Sequence, residues 1–268
     1  MGPESYMDFF LYVAAGAGVG FTVGLTGVGG GSLMTPLLLL FGFSAPVAIG
    51  TDLLYAALTK AGGAISHHRR GNVDWRVVGL LAAGSLPVAV LLHIFVLSGD
   101  FQESDSFERL LTVSLGVMLL VTSSILIFRD KLRLSAAAEK PGVLMRPIHQ
   151  NPGATTLFMG VLLGVCVTLS SVGAGAFGAA VLMVIYARLP TVRIVGTDIA
   201  HAVPLTFFAG MGYLFNGYVD LLLLGSLLIG SLPAIHLGSR VSSIVPEKIL
   251  QRILVVMLMV LGSKYAFF

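Results

Sequence analysis

From Phe9 to Thr59 the chain carries one formally charged residue, Asp52. A run of this length cannot coat a soluble domain, and about 20 apolar residues are what one bilayer-spanning helix requires. The rest of the chain agrees: of 268 residues 56% are hydrophobic and 11% charged, with a mean hydropathy of +0.94. Soluble domains carry roughly a quarter charged residues, so a water-soluble fold is excluded. The net charge of +3 excludes a nucleic-acid binder, and the single Cys166 excludes a disulfide framework or a multi-cysteine metal site. A β-barrel would show segments of about ten residues with alternating polarity, and none are present. Apolar segments recur to the last residue, which a cleaved signal peptide does not explain. The expected fold class is an all-α integral membrane protein.

Charged clusters mark where the chain leaves the lipid. They predict ten spans, near 8–26, 28–43, 47–65, 76–97, 107–128, 154–172, 176–187, 194–213, 219–238 and 249–267. The second and seventh are short. Basic residues gather in four connections: His67–Arg76, the long link over 129–152, Arg188–Arg193 and Arg240–Arg252. With ten crossings and both termini outside, all four fall on the cytoplasmic side, as the positive-inside rule asks. That puts 13 of the 16 Lys and Arg inside, leaves Arg109 and Lys264 outside, and buries Lys60 in a span.

The sequence also repeats itself at a constant offset of 146. Gly50-Thr51-Asp52 matches Gly196-Thr197-Asp198, Gly71, Val73 and Asp74 match Gly217, Val219 and Asp220, and Gly84-Ser85-Leu86-Pro87 matches Gly230-Ser231-Leu232-Pro233. The identities gather in Gly, Pro, Thr and Asp rather than in apolar filler, so composition does not produce them. Five spans per half is an odd number, so the second copy is expected to enter from the opposite face. The loop charges agree: basic His67–Arg76 aligns with base-free Tyr213–Leu222. The expected organisation is a first five-segment repeat over 1–128, a basic cytoplasmic linker over 129–153, and an inverted five-segment repeat over 154–268. Inverted repeats are common in secondary transporters, with the binding site near the midplane.

Gly24-Leu25-Thr26-Gly27-Val28-Gly29-Gly30-Gly31 runs into Ser32-Leu33-Met34-Thr35-Pro36. Each glycine costs a helix ~1 kcal/mol against alanine, so a break is expected at Gly27–Gly31. Irregular backbone at membrane depth survives only where protein or a water-filled cavity satisfies it. A helix restarting after the break would point unpaired amides at the cavity, a positive end suited to an oxyanion. Close packing through small residues is the competing explanation. A degenerate copy, Gly173-Ala174-Gly175-Ala176, follows 146 residues later, with Ala176 and Phe177 in place of glycines.

This opening motif, its second copy and the two Gly-Thr-Asp segments resemble the TauE/SafE family over the whole chain. The resemblance implies a multi-pass permease of the bacterial inner (plasma) membrane. Some members of that family are associated with export of sulfite or organosulfonates.

The expected substrate contacts are Gly27, Gly29, Gly30, Gly31, Ser32 and Thr51 in the first half, and Ser171, Gly173, Gly175 and Thr197 in the second. Asp52, Asp198 and His201 are candidates for proton coupling, because carboxylates within lipid are costly and usually functional. For the two aspartates, capping of the third and eighth spans is an equal alternative; for His201 it is a structural hydrogen bond to a neighbouring helix. Lys60 is expected to snorkel to the cytoplasmic edge. Ser170 is expected to bond back into its own helix, and His67-His68, adjacent and diverging, to anchor the chain rather than bind metal. The expected function is a secondary transporter exporting a small anion by alternating access, with a passive channel as the alternative. No cofactor, metal or enzyme activity is expected, since no H-E-x-x-H, G-x-S-x-G or paired Cys/His occurs. The expected partners are a small anion and the lipid bilayer, without nucleic acid, and a homodimer is left open.

Overall fold

The computed structural model describes residues 3–26, 31–95, 105–136, 151–241 and 247–267. These fold into helices α1 (Pro3–Thr26), α2 (Gly31–Leu40), α3 (Ala45–Arg69), α4 (Trp75–Phe95) and α5 (Asp105–Ala136). They continue with α6 (Pro152–Ser170), α7 (Ala176–Ile185), α8 (Thr191–Phe215), α9 (Leu221–Val241) and α10 (Glu247–Phe267). No strand occurs among the described residues.

Six of these helices, α1, α4, α5, α6, α8 and α9, are long and apolar enough to cross a membrane. The ten-residue α2 and α7 rise only about 15 Å each, half a hydrocarbon core. α3 has the length, but Asp52, Lys60, His67, His68 and Arg69 dilute its apolar character. Helices also outrun the expected spans. α5 continues to Ala136, eight residues into the expected linker, and α6 starts at Pro152.

The 146-residue offset reappears in the helix ends. Adding 146 to the bounds of α3 (45 and 69) and α4 (75 and 95) gives those of α8 (191 and 215) and α9 (221 and 241). The links between them match as well. Gly71 and Gly217 take positive φ of 69° and 77°, which a residue with a Cβ adopts only with strain. The next amides turn back onto the helix ends, Asn72 N–H to the His67 carbonyl and Tyr218 N–H to the Tyr213 carbonyl, both at 2.9 Å.

Glycines set how the long helices pack. Gly16, Gly20 and Gly24 on α1 lie against the backbone of Leu227, Ser231 and Ile235 on α9, so these helices run parallel. Gly160 and Gly164 on α6 lie in the same way against Leu81 and Ser85 on α4. The small residues let the backbones approach where lipid gives no hydrophobic drive to association. α3 and α8 instead run antiparallel, with Leu54 beside Gly210 and Gly63 beside Ile199. So do α5 and α10, with Gly116 at Tyr265–Ala266 and Gly262 at Leu119–Leu120.

Each short helix doubles back along the long helix before it. Phe41 and Phe43, just after α2, stack near Tyr12 of α1 at 6.5 and 5.7 Å. Tyr186, just after α7, shares a 2.9 Å hydroxyl–hydroxyl hydrogen bond with Thr156 near the start of α6. The two differ in their remaining neighbours. α7 packs along α5, whereas α2 barely meets α10, leaving an apolar crevice of about 670 Å³ among α1, α2 and α10.

Candidate functional site

The Gly-Thr-Asp segments place two carboxylates inside the antiparallel pair α3–α8, Asp52 at 0% and Asp198 at 2% exposure. Neither caps a helix. The cap positions are Ser44 and Pro190, each eight residues upstream, because Pro46 near the start of α3 and Pro190 before α8 move the helix starts earlier than the apolar pattern suggests. The capping alternative for Asp52 and Asp198 is therefore overturned.

Their threonine neighbours tie the halves together. The Thr197 hydroxyl donates to the Arg193 carbonyl at 2.7 Å and accepts the Asp74 amide at 2.9 Å. The Thr51 hydroxyl accepts the Asp220 amide at 3.4 Å. Asp74 in turn caps α4 through the Arg76 and Val77 amides, and Asp220 caps α9 through the Leu223 amide. Arg193 adds a 3.6 Å ion pair with Asp74. Both threonine hydroxyls thus serve the link of the opposite half.

Around Asp52 the donors come from two helices. Thr35 on α2 donates to Oδ2 at 2.5 Å. The Ser171 hydroxyl, at the end of α6, faces the carboxylate, and Oδ1 has no hydrogen-bond partner among the described residues. Asp198 has different surroundings. Val181 stands where the repeat puts Thr35, Oδ1 has no partner among the described residues, and that oxygen lies against Gly178 so closely that a Cβ there would collide with it.

Lys60 does not snorkel. Its Nζ donates to the Ala174 carbonyl at 2.7 Å, in the second glycine break, and both Asp52 and Asp198 lie within Coulombic reach of the ammonium. A buried carbonyl acceptor and two buried carboxylates hold the side chain inward, where the cytoplasmic edge would offer only water. His201 hydrogen-bonds the Ser85 hydroxyl of α4 at 2.8 Å through Nε2, and its Nδ1 has no partner. The structural bond foreseen for it exists; the ring also lies one turn beyond Thr197 on the buried face of α8.

The second break is fully described. Ser171 ends α6 with φ +56°, and Gly173 and Gly175 follow at φ +120° and +138°. The Gly178 amide returns to the Gly173 carbonyl and the Ala179 amide to the Gly175 carbonyl, both at 2.9 Å. The Ala174 carbonyl points out to Lys60, and the Ala176 and Phe177 amides have no partner among the described residues. Ser170 bonds back to the Cys166 carbonyl at 2.6 Å, and the Ser171 hydroxyl, 3% exposed, faces Asp52 and closes no bond among the described residues. Gly27, Gly29 and Gly30 lie outside the described residues. Gly31 begins α2, and the Ser32 side chain also lies outside the description. No grouping of three or more His, Cys, Asp or Glu suited to a metal occurs among the described residues.

Three participants escaped the sequence reading: Thr35, Gly178 and the Lys60–Ala174 contact. Thr35 and Asp52 are 17 residues apart and Lys60 and Ala174 are 114 apart, so no local period connects them. The signal available for Gly178 was its place two residues beyond Ala176 in the degenerate glycine motif.

The profile of the family described as sulfite exporter TauE/SafE matches residues 12–265. The chain is 37% identical over 257 residues to "Probable membrane transporter protein YjnA" of Bacillus subtilis (strain 168), covering 94% of this chain and 97% of the relative. It is 30% identical over 234 residues to "Probable membrane transporter protein YdhB" of the same organism, covering 87% and 90%. A "Probable membrane transporter protein" of Haemophilus influenzae shares 24% over 209 residues, covering 75% and 69%. No solved structure matches the chain.

Proposed function

The chain belongs to the sulfite exporter TauE/SafE family, and on that premise we propose that this membrane transporter is a secondary carrier of a small anion. Sulfite or an organosulfonate is the substrate, and alternating access is the mechanism. One observation carries the reading: a half-buried ammonium, Lys60, rests on the carbonyl of a helix break whose next two amides have no partner among the described residues. Ammonium and amides are all donors, so a group bound among them must accept, and the Ser171 hydroxyl beside them faces the Asp52 carboxylate. The N-terminal end of α7 adds a positive dipole at the same place. Gly173, Gly175 and Ser171 bind the substrate with Lys60. In the first half, Gly27 and Gly29–Ser32 are proposed to take the corresponding part. Thr51 and Thr197 hold the scaffold instead.

The architecture proposed is ten alternating crossings in two inverted halves, with α2 and α7 as half-length segments and both termini outside a bacterial inner membrane. Its support is directional. Repeat-related α3 and α8 run antiparallel, as do α5 and α10, while the exchanged pairs α1–α9 and α6–α4 run parallel. Strict alternation of ten helices gives all four relations. An inside-negative potential moves an anion outward with about 2.3 kcal/mol per charge per 100 mV, so export needs no nucleotide. Asp198, buried and with no hydrogen-bond partner on Oδ1 among the described residues, is proposed as the proton-coupling group, with His201 beside it on α8.

The test is flux in proteoliposomes across sulfite, small sulfonates and carboxylates. The carrier reading expects saturable flux with counterflow for the sulfur oxyanions; linear, non-saturating flux identifies a channel. For the topology, Glu103→Cys should be labelled from outside and Lys140→Cys from the cytoplasm, in a Cys166→Ser background. The reverse pattern overturns the orientation.

A further inference from the structure

We propose that Lys60 determines the anion preference of the site by exchange: its ammonium rests on the Ala174 carbonyl when the site is empty and transfers to the substrate oxyanion when it is filled. The inference rests on the transport reading above and names the residue within it that reads charge.

The geometry supplies three parts of the argument. First, the ammonium is not consumed by an ion pair. Asp52 and Asp198 are both within Coulombic reach, yet among the described residues neither closes a salt bridge with it, and its hydrogen bond goes to a neutral carbonyl. A neutral acceptor is the partner most easily replaced, since an ionised acceptor forms roughly twice as strong a bond. Second, the partner is a carbonyl of the break itself, between Gly173 and Gly175 at φ +120° and +138°. An anion arriving at the Ala176 and Phe177 amides therefore arrives within a residue or two of the ammonium. Third, the charge is singular within the repeat. Position 206, which the offset pairs with Lys60, is a threonine whose hydroxyl returns to the Ala202 carbonyl of its own helix. The second half thus provides the break and the first half provides the cation. Because Lys60 stands on α3 and Ala174 on the α6–α7 connection, the exchange also breaks and remakes a contact between halves, which ties occupancy to their relative position.

The charged and titratable groups facing Lys60 are Asp52 on its own helix and Asp198 and His201 on α8. The negative charge of the two carboxylates, when ionised, keeps the ammonium from holding an anion irreversibly, as a carrier requires.

The experiment is sulfite counterflow in proteoliposomes with the full chain and Lys60→Gln, Lys60→Arg and Lys60→Cys variants, the last in a Cys166→Ser background. Lys60→Gln should raise KM for sulfite by about tenfold or more, the loss of one charge-assisted hydrogen bond, while maximal flux changes far less. Lys60→Arg should keep KM near that of the parent. Treating Lys60→Cys with 2-aminoethyl methanethiosulfonate rebuilds a lysine-like ammonium and should restore KM; methyl methanethiosulfonate, neutral, should not. A purely structural lysine would not distinguish the two reagents. Unchanged sulfite KM in folded Lys60→Gln, or equal rescue by both reagents, overturns this inference while leaving anion transport standing. A parent protein with no saturable oxyanion flux overturns the transport reading, and this inference with it.

Discussion

Asp52 and Asp198 occupy equivalent places on equivalent helices, yet one is held and the other is not. Asp52 takes a hydrogen bond from Thr35 on the half-length helix beside it. At the position matching Thr35 stands Val181, which has no hydroxyl to donate, and the free oxygen of Asp198 lies against Gly178. The surrounding scaffold does not share this asymmetry. Helix ends, positive-φ glycines, the Asp74 and Asp220 caps and the Thr197 and Thr51 acceptors all recur at an offset of 146. The difference teaches that the repeat preserves the frame and frees the interior. One half fixes its carboxylate and donates the only lysine of the α3–α8 pair; the other leaves its carboxylate open next to a fully formed break. The helices outside the pair differ in the same sense, with α7 seated on α5 while α2 stands off α10 across an apolar crevice.

The comparison breaks most readily at Asp198. Asp198→Asn replaces a buried carboxylate that closes no ion pair with Lys60 and whose Oδ1 has no hydrogen-bond partner among the described residues. It should abolish the pH dependence of uptake. Asp52→Asn, still able to accept from Thr35, should keep that dependence. Gly178→Val should reproduce the Asp198→Asn phenotype, since its side chain displaces the carboxylate. Gly79→Val, whose Cβ meets open space, should transport normally. Equal pH profiles for the two asparagine variants would erase the proposed division of labour.

A smaller effect should be equal in the two halves. Gly20→Val and Gly164→Val each drive a side chain into the backbone of a parallel partner, Ser231 and Ser85 respectively. Overpacking of this kind costs about 1–3 kcal/mol. Thermal unfolding should drop by similar amounts for both; a large inequality would mean that the frame itself is asymmetric.

The smallest effect tests the cross-links. Thr197→Val strands the part-buried Asp74 amide now bonded at 2.9 Å, a loss of about 1 kcal/mol, the low end for an unsatisfied donor. Thr51→Val should cost less, because its 3.4 Å contact is weaker to begin with. Both should leave substrate KM unchanged. A raised KM with unchanged stability would move these hydroxyls from scaffold to site.

Much of the frame was legible in the sequence, because membrane helices and glycine turns are written in local residue types. Gly71 and Gly217 fell at matching places of the repeat, where the structure has matched turns, and the glycines at Gly27–Gly31 accounted for the short second span. The interior was less legible. The Asp52 and Asp198 capping alternative failed because Pro46 and Pro190 start the helices earlier than the apolar pattern implies. Snorkelling of Lys60 failed because its acceptor comes from a backbone segment 114 residues away. Which oxygen meets which donor depends on how half-length helices fold back, and nothing in a short window encodes that.

The central claim is that an anion binds between the broken helices, against Lys60 and the start of α7. Its most direct measurement is a structure with 2-bromoethanesulfonate, located by the anomalous signal of bromine. The account predicts the sulfonate within about one helix diameter, roughly 10 Å, of the Ala174 carbonyl, with the Lys60 ammonium moved from that carbonyl to a sulfonate oxygen. A sulfonate bound elsewhere, with Lys60 still on Ala174, would contradict it.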